Sequence, residues 1–148
     1  VQWQARAQGT PLQLPASHPF NSLALLRLAT ACDLAGEPNR FVCEKLFRHV
    51  WCSGQDAADP ARLAALTADL APQADPQSAE VKDRLKANTD EALALNLFGV
   101  PSLVVDGQVF WGNDALPMLR AYLLGDPWFQ SPEWTGVSAL PVGVQRKV

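Results

Sequence analysis

At 148 residues the chain is the size of one ordinary domain, and 48% hydrophobic with 18% charged residues describes a folded globular protein rather than a disordered one. A formal charge of -3 argues against nucleic acid or an anionic membrane surface as the main partner. No apolar run reaches the roughly 20 residues that span a bilayer, so no membrane partner is expected.

The chain starts at Val1 without an initiator Met, and Val1 to Gly9 reads as the end of a helix capped by Gly9. Thr10 to Pro19 is a proline-rich connection. Asn21 or Ser22 then caps a helix carrying Leu25, Leu26, Leu28, Ala29 and Cys32, stopped near Gly36-Glu37-Pro38. Asn39 caps the next helix, with Val42, Leu46 and Val50 facing inward and Phe47 a further candidate. Asp59-Pro60 is a cap followed by proline at the first helical position, and Leu63, Leu66 and Leu70 supply that helix's apolar stripe. Asp75-Pro76 repeats the start signal before a longer helix with Val81, Leu85, Ala92 and Leu95.

Helix then gives way to strand. Leu103-Val104-Val105 and Val109-Phe110-Trp111 flank Asp106-Gly107, a strong two-residue hairpin signal. Asp114 can cap a last helix through Leu116, Leu119 and Leu123, closed by Gly125 and Pro127, and the tail from Trp128 reads as a surface-draped extension. The Leu103 to Val105 run looks buried on both faces, and two isolated strands are marginal in water. A further strand is therefore expected beside the hairpin, although nothing from Val1 to Asn96 reads as one. The pattern points to a strand-helix-strand unit upstream of these residues.

Three cysteines, Cys32, Cys43 and Cys52, give an odd count and no Cys-x-x-Cys. Nine residues at roughly 100° each put Cys43 and Cys52 on opposite faces of one helix, so they should not bridge. Three reduced thiols fit a cytoplasmic protein. His49 and Cys52, three apart, could share a face, but two ligands do not close a zinc site and no metal is expected. His18 reads as exposed, Arg27 as the cation of a structural ion pair, and Trp51 and Trp128 as core anchors.

Two local features near the hairpin admit functional readings. Pro101 is tolerated at a strand's first residue, which is the simple account of Gly99-Val100-Pro101. The sharper account is a cis bond between Val100 and Pro101 that turns Val100's backbone groups outward, toward an extended peptide ligand. Gly112-Asn113-Asp114 opens a helix whose free amides suit a carboxylate, while Asp114 suits an ammonium. The commoner role for Asp114 is that of an N-cap.

The stretch "LFGVPSLVVDGQVFWGNDALPMLRAYLLGDPW" resembles the C-terminal part of the 2-hydroxychromene-2-carboxylate isomerases and kappa-class glutathione transferases. The likeness extends back through "LFRHVWCSGQDAADPARLAAL" and "HPFNSLALLRLA" and forward to "ALPVGVQRK". It implies an α/β, thioredoxin-like fold with a large inserted helical domain. This chain would carry the helical domain (1–97), the C-terminal ββα part (98–127) and an extension (128–148). It further implies that Val100, beside a cis Pro101, pairs with the cysteinyl part of glutathione. Trp111, Gly112, Asn113 and Asp114 would hold the γ-glutamyl end, and Phe20 and Asn21 would lie near a small aromatic substrate. The family's catalytic serine belongs to a first strand and turn not contained in these residues, so no catalytic residue is assigned within the chain.

The implied activity is glutathione-dependent isomerisation of an aromatic degradation intermediate by reversible thiol addition, in a homodimer by the family's habit. A kappa-class glutathione transferase is an alternative. So is a DsbA-like thiol–disulfide oxidoreductase, which would need an upstream Cys-x-x-Cys where the isomerase needs a serine. A non-catalytic binding module using an exposed sheet edge is a third.

Overall fold

The structure, a computed structural model, describes residues 1–35 and 37–136. The chain divides into two compact units, Val1–Ala92 and Leu93–Val148.

In the first unit, α1 (Gln2–Gln8) ends on Gly9, whose φ of 65° is left-handed and suits glycine. Residues of the proline-rich connection lie along the end of α3 (Arg40–Trp51): the Gln13 amide donates to the Trp51 carbonyl at 2.7 Å. Helix α2 (Leu23–Cys32) starts on Asn21, whose Oδ1 accepts from the Leu23 amide at 3.0 Å; the Ser22 hydroxyl makes no cap bond. It stops at Asp33, earlier than the Gly-Glu-Pro signal suggested. The orphan Ala31 carbonyl at that end accepts from the Gln73 and Ala74 amides.

Asn39 caps α3 and Asp59 caps α4 (Pro60–Leu70) as expected, each accepting from the amide three residues on. Leu25, Leu28, Val50, Ala57 and Leu66 form the core of α2, α3 and α4, with Leu46, Trp51, Leu63 and Leu70 packed around it. Phe47 points outward instead, because its position on α3 lies off the Val42–Val50 stripe. Helix α5 (Ala79–Ala94) begins three residues beyond Asp75-Pro76. Asp75 Oδ1 caps its own turn at the Gln77 amide, and Ser78 Oγ takes over the helix start at Val81. Leu95 lies past the end of α5 and is exposed.

The second unit is a hairpin with a helix against one face. Strands β1 (Ser102–Val105) and β2 (Gln108–Trp111) pair antiparallel, with Leu103 opposite Phe110 and Val104 opposite Val109. Asp106 and Gly107 have φ of 50° and 76°, the paired left-handed residues of a type I′ turn. Side chains alternate across the strands, so Leu103, Val105 and the fully buried Phe110 form one face. That face packs on Ala115, Met118, Leu119 and Tyr122 around α6 (Leu116–Leu123).

The expectation of a β1 run buried on both faces is not met. Val104 is 37% exposed, because α6 covers only the opposite face and no third strand is paired to either edge among the described residues. Leu116 and Leu123 also face outward, since Ala115, Met118, Leu119 and Tyr122 take the buried stripe of α6. Trp128 is not a core anchor but lies half exposed in a ring cluster with Phe129 and Trp134, at 5.2 and 5.5 Å. A short turn of 3-10 helix and α7 (Pro132–Thr135) build that cluster, so the start of the tail is folded; residues 137–148 of the expected extension lie outside the described residues.

Candidate functional site

The Val100–Pro101 bond is cis. Val100 is 91% exposed, and among the described residues neither its amide nor its carbonyl makes a hydrogen bond. Ladder pairing closes one residue later, where the Gly112 amide donates to the Pro101 carbonyl at 2.9 Å. That bond pulls the end of β2 against the start of β1 and brings Val100, Pro101, Trp111 and Gly112 together. The Ser102 hydroxyl is spent on the Gly99 carbonyl at 2.6 Å, which ties the turn before the proline.

Trp111 is half exposed and lies over the Phe98-Gly99 segment, its ring 4.8 Å from that of Phe98. A Cβ on Gly99 would fall 2.5 Å from the indole Nε1, so the indole can lie there only over glycine. Gly112 has φ 94° and ψ 160°, a region essentially restricted to glycine. A Cβ there would collide with Asp114 Oδ1, so the carboxylate sits folded against the Gly112 backbone.

Asp114 does not cap α6. Residues Asn113–Ala115 form a turn of 3-10 helix between the strand and α6, Ala115 takes the N-cap position, and among the described residues no side chain caps the first turn. The carboxylate is therefore exposed and uncommitted to a helix end. The Asn113 and Asp114 amides, first in their turn, find no acceptor among the described residues. The corner thus offers one free peptide edge, at least two free amide donors, an exposed carboxylate and an indole face. Such a set can hold a short peptide carrying both a carboxylate and an ammonium.

The description "DSBA-like thioredoxin domain" matches residues 1–124.

The chain belongs to the DSBA-like thioredoxin domain family.

Its helical unit and its hairpin-and-helix unit are parts of that DSBA-like fold. A 2-hydroxychromene-2-carboxylate isomerase of Sphingobium xenophagum is 34% identical over 131 residues, 82% of this chain and 63% of that protein. The chain therefore spans less than two thirds of the length of this curated relative. No solved structure matches it.

Phe20 and Asn21 lie in the first unit of this DSBA-like chain. Phe20 is half-buried, its ring 6.3 Å from Trp51 and 6.2 Å from His18, so two further aromatic side chains join it. Asn21 is exposed and engaged at the start of α2. Sequence reasoning placed His18 and Trp51 separately, and only the fold of the connection over the end of α3 joins them. Phe98 and Gly99 were also missed; the Phe-Gly pair before Val-Pro was the available signal.

All three cysteines are free thiols, and burial pushes the Cys32 thiol up from its ordinary range. No group of three or more His, Cys, Asp or Glu side chains suited to a metal occurs among the described residues. His49 Nε2 is instead 3.0 Å from the Ala57 carbonyl. Among the described residues no helix is long and apolar enough to cross a membrane.

Proposed function

We propose that this chain is the glutathione-holding part of a cytoplasmic, glutathione-dependent isomerase that acts on an aromatic degradation intermediate of the 2-hydroxychromene-2-carboxylate kind. The observation that carries this reading is the unpartnered, exposed Val100 backbone beside the Trp111-to-Asp114 corner. Val100 would pair in the antiparallel manner with the cysteinyl residue of the tripeptide, its amide donating and its carbonyl accepting. Asp114 would take the γ-glutamyl ammonium, and the Asn113 and Asp114 amides its carboxylate. Trp111, resting on Phe98 and Gly99, would exclude water from one side of the bound peptide.

Bound there, glutathione would supply a thiol for reversible addition to a conjugated double bond, so that the single bond created can rotate before the thiol leaves. Phe20, with its aromatic neighbours, would offer a surface for the substrate ring. The name of the Sphingobium xenophagum relative supports this choice of substrate.

The test uses the purified full-length protein and 2-hydroxychromene-2-carboxylate, followed by ultraviolet absorbance. Conversion should require glutathione and saturate with it. Asp114→Ala should raise the glutathione concentration for half-maximal rate by about tenfold, the loss of one charge-assisted bond of roughly 1.5 kcal/mol or more. Conversion independent of glutathione would refute the reading, as would its absence with disulfide exchange in its place.

A further inference from the structure

Between α2 and α5, within the first unit, lies an open cavity of about 290 Å³. Its apolar walls are Leu23 and Leu26 from α2 and Leu85 from α5. Its polar lining is three cations, Arg27, Lys82 and Lys86, and the neutral Thr89. Helical spacing accounts for the gathering, since Lys82 and Lys86 are four apart and share one face of α5. Among the described residues no carboxylate belongs to the lining, in a chain whose formal net charge is -3.

Among the described residues Arg27 does not form the ion pair its sequence position suggested. Its Nη1 donates to the Gln77 amide oxygen at 3.2 Å, while its Nε is buried and has no partner. A buried guanidinium nitrogen without an acceptor is costly, and a guanidinium is suited to carboxylate recognition. Lys86 is held at 2.5 Å by Asp90, one turn further along α5, and Lys82 has no salt bridge among the described residues. Asp90 and the charge of Asp83 both act on Lys86, whereas neither Arg27 nor Lys82 has a salt bridge among the described residues.

We propose that this cavity binds a small organic carboxylate with an apolar body of one or two rings. Arg27 engages the carboxylate through its guanidinium, Lys82 and Lys86 add positive potential at the rim, and Leu23, Leu26 and Leu85 receive the rings. The site needs no glutathione.

The probe is 2-naphthoate, titrated by calorimetry into the full-length protein, with neutral 2-naphthamide of nearly the same shape as its comparison. Naphthoate should bind at least tenfold more tightly than naphthamide, and Arg27→Gln should erase that preference. The double variant Lys82→Gln/Lys86→Gln alters only exposed side chains, so it tests the site even if Arg27→Gln fails to fold. It should weaken naphthoate several-fold and flatten the decline of affinity with salt. Equal affinity for the two probes would overturn the proposal, as would naphthoate binding that the double lysine variant leaves unchanged.

Discussion

Replacing Gly112 by Ala separates the backbone strain at the candidate site from its electrostatics. Gly112 sits at φ 94°, ψ 160°, where a residue with a Cβ costs about 1–3 kcal/mol. The loss of unfolded-state freedom offsets about 0.4–1 kcal/mol of that. A net destabilisation of about 1–2 kcal/mol remains. With a urea dependence of about 1–3 kcal/mol/M, the midpoint should fall by roughly 0.5–1 M. The new Cβ also takes the space of Asp114 Oδ1, and the exposed carboxylate must swing away. That movement costs little stability but removes an ammonium partner, so glutathione affinity should fall about tenfold. Gly107→Ala is the control: its φ of 76° also needs glycine, yet a Cβ there meets nothing within 4 Å. It should destabilise by about 1–2 kcal/mol and leave glutathione binding intact. Because Gly112→Ala and Asp114→Ala act on one carboxylate, the double variant should bind glutathione no worse than Asp114→Ala. A Gly112→Ala protein with unchanged urea midpoint and unchanged affinity would refute the reasoning.

Two further predictions concern the scaffold. Phe110 is fully buried between the hairpin and α6, so Phe110→Ala should cost about 3–5 kcal/mol, read as a lowered urea midpoint with loss of the hairpin's amide protection in hydrogen exchange. The Cys32 thiol is raised by burial, so the unfolded state loses its proton first. Its contribution to stability should be full below the unfolded thiol pKa of about 8.5 and be lost as pH rises through the raised folded value. Urea midpoints measured across that range should fall in the wild type and fall less in Cys32→Ala.

Local signals were legible in the sequence because they act over two or three residues. Asn39 and Asp59 each bond the amide three positions on, and Asp106-Gly107 supplies both left-handed residues of its turn. Family membership was legible from the Gly-Val-Pro and Trp-Gly-Asn-Asp stretch together. What failed depended on competition or distance. Asp75 and Ser78 both offer a cap, and only packing decides that the helix begins after the serine. Leu116 and Leu119 are alike in sequence, but the side of α6 that meets Phe110 is chosen by the hairpin. Arg27 meets Gln77 across fifty residues, a pairing with no local trace. Asp114 looked like a cap because an intervening 3-10 turn cannot be read from composition.

Amide-resolved magnetic resonance tests most directly whether the exposed Val100 backbone and the corner after β2 hold glutathione, as proposed. The full-length, isotope-labelled protein is titrated with glutathione to millimolar concentrations. The Val100, Asn113 and Asp114 amides and the Trp111 indole N–H should shift together along one binding curve, with Val100 showing new protection from solvent exchange. If those four signals stay in place while glutathione binds elsewhere, or if nothing shifts at all, the claim is contradicted.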